Sequence, residues 1–210
     1  ICCITALGIV AWYSLGFGIA QCGLPPSDIT IMKLGPDGNM QWHGRIDSGE
    51  DDTAAGIVPT SDGGYVLSGR NDYRTHLPAA RLIRLNSSGG VEWDRFYPEY
   101  KGTFTDLFSG PDGRFFAGTM LPGRIIVLDA AGNVSREIPF ADYAYASYIS
   151  PASDGGFFVL AENLSARNSM IMSIGPDGSE KWRRDALPLI ALHDKSILAT
   201  SDGGCIVEGH

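Results

Sequence analysis

The sequence has few charged side chains and no concentration of basic ones. Charged residues make up 19% of the 210 residues, and 16 Lys and Arg stand against 24 Asp and Glu, a formal net charge of -8. A nucleic-acid surface needs clustered cations, so this composition predicts no nucleic-acid partner. The hydrophobic content of 44% excludes disorder as a description of the whole chain.

Cysteine and histidine are also scarce, with four of each. The cysteines form no Cys-x-x-Cys pair and the histidines share no spacing, so the sequence predicts no zinc site, disulfide framework or catalytic triad. The densest acidic stretch is residues 47–52, which we interpret as a solvated connector, with a cation site as the alternative. No metal and no cofactor are predicted.

Charge is absent from the first 27 residues, and residues 1–20 are almost wholly apolar. A run of this length predicts a signal peptide or a membrane anchor, followed by a linker over residues 21–27. Small residues before Gln21 favour cleavage at that point, and lipidation of Cys22 and a buried core helix or strand are the alternatives. We therefore expect a secreted or cell-envelope protein that meets a membrane only through this segment, if it is uncleaved or lipidated.

Two motifs then alternate along the chain. The first is an Asp-Gly turn followed by a β-rich run, as in Thr-Ser-Asp-Gly-Gly-Tyr-Val-Leu over residues 60–67, and its aspartates are 50, 42 and 48 residues apart. They are Asp62, Asp112, Asp154 and Asp202. Asp-Gly supplies the positive-φ residue of a tight turn, so each motif predicts a β-hairpin.

The second motif is a short apolar strand, a Gly-containing turn and a strand that carries Trp. Its leucine-type position falls at 34, 85, 128 and 174, giving spacings of 51, 43 and 46 residues that keep step with the first motif. The apolar strand is hydrophobic on both faces, which is typical of a sheet packed between two others. One unit thus contains four strands in the length of a propeller blade.

These repeats predict an all-β chain in which residues 28–210 form a partial β-propeller of four-stranded antiparallel blades, after the apolar segment 1–20. About three and a half blades are present, so the ring is incomplete. An open β-solenoid or a sandwich is the alternative architecture for the same repeat.

The repeat resembles a known class of sequences at this point. Residues 60–65 and 200–204 match the Thr-Ser-Asp-Gly-Gly-Tyr repeat propellers of exported proteins, and the Trp-bearing strand is similar to the quinoprotein-like (PQQ-repeat) propellers. The Thr of the PQQ-type Thr-Gly turn is absent, and Arg136 stands at one Trp position. The resemblance implies that Trp42, Trp93 and Trp182 dock one blade on the next. Calcium ligands and a catalytic carboxylate cannot be placed, so no PQQ is predicted.

Binding residues are expected on the rim opposite the short turns, because irregular loops on a rigid scaffold usually carry recognition. The connection over residues 70–78 is the best candidate, with a contact surface that comprises Arg70, Asp72, Tyr73, Arg74 and His76. No catalytic residue is predicted. We therefore expect a non-catalytic binding or scaffold module for a protein or carbohydrate partner; the alternative is a propeller-type lyase, glycosidase or quinoprotein-like dehydrogenase completed by further blades.

Overall fold

A computed structural model describes residues 2–6, 9–13, 27–49, 51–71, 79–110, 112–119, 123–140, 145–163, 168–185 and 196–208. The chain divides into two compact units, Ile1–Thr103 and Phe104–His210. In each unit the strands follow one another as antiparallel neighbours in chain order, so each sheet comes from one contiguous stretch of sequence.

The first unit contains two four-stranded sheets. The first sheet consists of β1 (Cys2–Ala6), β2 (Ile9–Tyr13), β3 (Ile29–Leu34) and β4 (Met40–Ile46). The second sheet consists of β5 (Asp52–Pro59), β6 (Tyr65–Asn71), β7 (Ala79–Leu85) and β8 (Val91–Lys101).

The second unit contains two more four-stranded sheets and a two-stranded one. The third sheet consists of β9 (Leu107–Ser109), β10 (Phe115–Gly118), β11 (Arg124–Leu128) and β12 (Val134–Pro139). The fourth sheet consists of β13 (Tyr145–Pro151), β14 (Phe157–Asn163), β15 (Asn168–Ile174) and β16 (Glu180–Asp185). The fifth consists of β17 (Ser196–Ala199) and β18 (Cys205–Glu208).

The Asp-Gly motifs form the hairpin turns that the sequence predicts. In the β5–β6 turn, the Thr60 amide donates to the Gly64 carbonyl at 2.9 Å, and the Gly63 amide donates to the Thr60 carbonyl at 3.0 Å. Gly63 has φ of 82°, a left-handed conformation that a residue with a Cβ rarely adopts. This explains why the motif requires glycine directly after the aspartate.

Both faces of the fourth sheet are buried. Phe157 and Val159 pack against the third sheet, whereas Phe158 and Leu160 pack against the fifth. Because successive side chains of a strand point to opposite faces, this run of four apolar residues fills two interfaces at once. On β15, the apolar strand of the second motif, Met172 and Ile174 pack against the third sheet and Ile171 packs against the fifth, so the predicted packing of this strand on both faces is confirmed.

In the second unit, the first strand of each following sheet lies next to the preceding sheet. The backbone of β13 lies next to β9, β10 and β11, and β17 lies next to β13 and β14. Two hydrogen bonds join these strands: the Ile149 amide donates to Asp106 Oδ2 at 2.7 Å, and the Ala199 amide donates to Ser150 Oγ at 2.9 Å. Neighbouring sheets are therefore linked at the strand that begins each of them.

The prediction of an all-β chain of four-stranded antiparallel repeats is confirmed. The structure places β1 and β2 within residues 1–20, and β2 pairs with β3. In the part of the chain that the structure describes, no helix is long and apolar enough to cross a membrane. Cleavage, anchoring or lipidation of the segment stays a prediction.

Candidate functional site

The candidate binding connection joins β6 to β7 over residues 72–78. At its base, Arg70 of β6 pairs with Ala80 of β7, and the Nε atom of Arg70 is buried. The other four predicted contact residues, Asp72, Tyr73, Arg74 and His76, lie outside the described residues. Their part in binding stays a prediction.

A buried ion cluster lies at the base of this connection. Arg81, on β7, is 1% exposed. Asp94 of β8 accepts a hydrogen bond from Nε at 2.8 Å and from one Nη at 2.5 Å, the two-pronged geometry that guanidinium and carboxylate favour. The other Nη contacts the carboxylate of Asp52, at the start of β5, and that side chain is fully buried.

Strand alternation explains why Arg81 faces the core. On β7, Arg81, Ile83 and Leu85 share one face, and Ile83 and Leu85 pack against the first sheet. Ile83 pairs with Asp94 across to β8, so the Asp94 side chain lies on the same face. The pairing of β7 with β8 is therefore sufficient to place the Asp94 carboxylate beside the Arg81 guanidinium.

Asp52 extends the cluster into the acidic connector before β5. Its carboxylate accepts hydrogen bonds from the Ser48 amide at 2.9 Å and the Ser48 hydroxyl at 2.7 Å. Its own amide donates to the carbonyl of Ser27, next to β3, and the Ser27 amide donates to Asp51 Oδ1; both distances are 2.8 Å. The connector is thus fastened to both sheets of the first unit.

The connector was also the candidate cation site. Among the described residues, no three His, Cys, Asp or Glu side chains stand together in a way that could hold a metal ion. Glu50 lies outside the described residues. Asp47 uses Oδ1 to accept the Gly49 amide at 2.8 Å, which is a turn-forming contact.

The neighbouring carboxylates favour the charged form of the Arg81 guanidinium. Burial alone would lower the pKa of Arg81, but hydrogen bonds and charge attraction from Asp94, and then from Asp52, outweigh it and raise that pKa. The Phe96 ring lies 4.9 Å from the guanidinium carbon and adds a cation–π contact. With Nε and both Nη atoms engaged, Arg81 holds strands together and does not exchange protons.

The second unit has its own partly buried carboxyl group at Asp106. Burial raises its pKa, against the opposing effect of the backbone amides of Ile149 and Leu107, which donate to it. Since one of those amides belongs to the next sheet, the group is a structural link within this unit.

The aspartates of the short turns serve the backbone. Asp62 Oδ1 accepts the Thr60 hydroxyl at 2.5 Å and the Gly64 amide at 3.2 Å, and these bonds, with Arg84, hold the pKa of Asp62 below its usual value. Asp202 accepts the equivalent hydroxyl and amide from Thr200 and Gly204. The short turns of both units therefore use the same hydrogen-bonding pattern.

Trp42 contacts the neighbouring sheet of its unit. Its ring meets the ring of Tyr65 edge-on, with centroids 5.8 Å apart, and its Nε1 donates to the Ser87 carbonyl at 3.1 Å. A Cβ on Gly89 would lie 2.8 Å from the Trp42 ring, so the indole fits this turn only because residue 89 is glycine.

The other repeat positions show related contacts. Trp182 lies against Phe158, with ring centroids 5.8 Å apart, and joins the cluster between the fourth and fifth sheets. Arg136, at the Trp position of the third sheet, places Nη1 3.7 Å from where a Cβ on Gly178 would stand. Trp93 lies on β8, with the Arg95 guanidinium carbon 6.0 Å from its ring centre. That Trp42, Trp93 and Trp182 stabilise the packing of one sheet on the next stays a prediction.

Sequence reasoning missed the Arg81 cluster. Its partners lie 29 and 13 residues away, and no local motif joins them. One signal was present: an arginine at 81 interrupts the apolar face of a strand predicted to be buried, and a buried cation requires a carboxylate opposite it.

Comparison with known proteins gives the fold alone. No protein-family model and no curated protein matches the chain. Among solved structures, a protein of unknown function from Bacteroides caccae is similar, with 15% identity, a TM-score of 0.50 and coverage of 88% of this chain and 61% of that one. A structure described as the eukaryotic initiation factor has 13% identity, a TM-score of 0.45 and coverage of 76% and 40%. The chain therefore spans less than two thirds of either neighbour.

Proposed function

We propose that this chain is part of an exported β-propeller that acts as a non-catalytic binding or scaffold module, with its recognition surface on the rim that carries residues 70–78. Its partner is a protein or a carbohydrate at the cell envelope. The observation that carries the proposal is the contrast between the two rims, one uniform and the other varied.

The uniform rim supports a scaffold role. In each described hairpin turn of the Asp-Gly type, the glycine has φ between 78° and 85°, so the turns share one backbone conformation. At the other end of the strands, the connections between second and third strands differ in length, spanning residues 72–78, 119–123 and 164–167. Variation confined to one rim is typical of recognition loops on a conserved frame.

The packing of the second unit favours a propeller over a sandwich or a solenoid. A two-sheet sandwich buries one face of each sheet, whereas the fourth sheet is buried on both. The first strand of each following sheet lies against the preceding sheet: β13 lies next to β9, β10 and β11, and β17 lies next to β13 and β14. Sheets that converge at their first strands have the wedge arrangement of propeller blades. The Thr-Ser-Asp-Gly-Gly repeat supports the same architecture.

The ion cluster supports rigidity at the recognition rim. Arg81 holds β5, β7 and β8 together three residues after the 72–78 connection, and Asp52 fastens the preceding connector to the same cluster. A loop whose ends are held loses less conformational entropy on binding. The proposal thus assigns Arg81 to the frame and the side chains of residues 72–78 to recognition.

The first experiment measures binding of the purified chain to the envelope fraction of the cells that produce it, by co-sedimentation. Tyr73→Ala combined with His76→Ala should reduce bound protein about tenfold, as removal of central contacts commonly does. Ser61→Ala combined with Ser201→Ala, on the rim of short turns, is the matched control and should bind normally. Equal binding by both double variants would refute the assignment of the rim.

Export of the chain and a catalytic activity are tested by two separate measurements. Intact-mass analysis of the mature protein should find an N-terminus at Gln21 if the apolar segment is cleaved, and a full-length membrane-bound chain if it is an anchor. A full-length chain in the cytoplasm would overturn the proposed location. Turnover of an envelope polysaccharide by the purified chain, with release of reducing ends, would instead favour the propeller-enzyme alternative.

A further inference from the structure

The last strand of the second sheet is longer than its counterparts. β8 has 11 residues, whereas β4 has 7 and β12 and β16 have 6 each. In all four strands the pairing with the preceding strand shifts once beside the hairpin turn, so that shift belongs to the repeat. Among these four strands, β8 alone has a second shift, at its other end: Ala80 pairs with Tyr97, but Ala79 pairs with Lys101.

Residues 98–100 therefore form a bulge that departs from the repeat, and we call them the β8 bulge. Pro98 and Glu99 are exposed, whereas Tyr97 and Tyr100 on either side of them are buried, with ring centroids 6.4 Å apart. Proline also fixes one backbone angle of the exposed pair. Two exposed side chains held between two buried rings lose less conformational entropy on binding than side chains of a mobile loop.

Phe96 adds a large apolar side chain next to the bulge. It is 43% exposed, although it pairs directly with Arg81 across β7 and β8. The Arg81 guanidinium carbon lies 4.9 Å from the ring centre, so contact with the buried ion cluster restrains the ring while part of it stays in solvent. Exposed aromatic side chains that are already held in place are suited to act as anchors in protein interfaces.

The β8 bulge lies beside the connection proposed for recognition. Ala79 is the first residue after the 72–78 connection, and Lys101, directly after the bulge, is its pairing partner. Bulges are found preferentially at sheet edges and next to functional sites, where they redirect side chains. The end of the second sheet that carries the 72–78 connection therefore also carries an exposed departure from the repeat.

We propose that Phe96, Pro98 and Glu99 form a docking surface for a protein partner, which receives the Phe96 ring in an apolar pocket and pairs a basic side chain with Glu99. Among the described residues none forms an ion pair with Glu99, so its charge is available to the partner. A carbohydrate site needs several polar groups that converge in a concave pocket, whereas residues 96–101 protrude and contain one carboxylate and no Asn or Gln. The inference rests on the proposed function and specifies its partner as a protein.

The experiment repeats the co-sedimentation with the envelope fraction and adds three variants. Phe96→Ala and Glu99→Arg should each reduce bound protein about tenfold, since the first removes the apolar anchor and the second reverses the complementary charge. Glu99 is not part of the Arg81 cluster, so Glu99→Arg tests the surface even if Phe96→Ala loses stability. Val91→Ala is the matched control and should bind normally, because Val91 is 52% exposed at the other end of β8.

Two treatments of the envelope fraction identify the class of partner. Protease digestion of the fraction, stopped before the chain is added, should abolish binding, and periodate oxidation of sugar diols should leave binding unchanged. Binding that survives protease but not periodate would overturn the proposal in favour of a carbohydrate.

The variants separate this proposal from the proposed function. Normal binding by Glu99→Arg or by Phe96→Ala would overturn the docking surface and leave the bulge as a feature that protects the sheet edge. The proposed recognition rim would still stand if Tyr73→Ala with His76→Ala reduced binding in the same experiment. A wild-type chain that does not bind the envelope fraction at all would refute both proposals.

Discussion

Replacement of Arg81 with methionine should destabilise the first unit by about 3 kcal/mol, the lower end of the cost of breaking a buried ion pair by removing one partner. Methionine keeps much of the side-chain volume, so the cavity term is small. The loss arises because Asp52 is left charged and fully buried, while Asp94, 30% exposed, returns partly to water. The lower end applies because the Ser48 hydrogen bonds to Asp52 remain.

A second substitution identifies the cause. Asp52→Asn removes the stranded charge and keeps an acceptor for Ser48, so the double variant Arg81→Met with Asp52→Asn should be more stable than Arg81→Met alone by about 1 to 2 kcal/mol. The assay is urea denaturation followed by tryptophan fluorescence and circular dichroism. Arg183→Met is the control, since the Arg183–Glu180 pair is exposed and should contribute less than about 1 kcal/mol.

Two results would contradict this account of the cluster. Additive effects of the two substitutions, or a loss for Arg81→Met no larger than for Arg183→Met, would refute the reasoning that this cluster holds the second sheet together.

Three further outcomes are expected from urea denaturation. Gly89→Ala should cost about 1 to 2 kcal/mol more than Gly38→Ala, because both turns have positive φ but only at Gly89 does the new Cβ meet the Trp42 ring. Arg136→Trp should stabilise the second unit by about 1 kcal/mol, by restoring an aromatic side chain over the following turn. Asp106→Asn should gain stability relative to wild type as pH rises. Because burial raises the pKa of Asp106 in the folded chain above its value in the unfolded chain, wild type loses stability as pH rises through the folded-state pKa.

Each of these has a clear contrary result. Equal losses for Gly89→Ala and Gly38→Ala would show that Trp42 does not restrict the turn. A lower midpoint for Arg136→Trp would mean that the indole does not fit over Gly178. A wild-type advantage over Asp106→Asn that grows with pH would indicate that the amide donors, and not burial, dominate at Asp106.

The hairpins and the repeat could be predicted from the sequence because interactions between nearby residues determine them. Each Asp-Gly turn needs only residues two to four apart, as the bonds from Asp62 to Thr60 and Gly64 show. The apolar strand of the second motif, residues 171–174 in the fourth sheet, likewise predicts two buried faces without knowledge of the neighbouring sheets. For these features, the determining interactions lie within one strand or one turn.

The ion cluster around Arg81 could not be predicted in the same way, because the residues in contact are distant in sequence. Arg81 meets Asp52 only after β5, β6 and β7 have paired, and its bond to Asp94 depends on a β7–β8 register that includes two irregularities. The apolar segment was ambiguous for a different reason. Its hydrophobicity fits both a membrane-directed segment and the strands β1 and β2, because composition does not determine the pairing partner.

The linkage of neighbouring sheets through their first strands also bears on how the chain folds. Each four-stranded sheet comes from a contiguous stretch and pairs only strands adjacent in sequence, so most backbone contacts close short loops. The bonds from Ile149 to Asp106 and from Ala199 to Ser150 form as soon as the next first strand arrives. Folding of the second unit can therefore proceed during synthesis, one repeat at a time, with each finished sheet serving as the template for its successor.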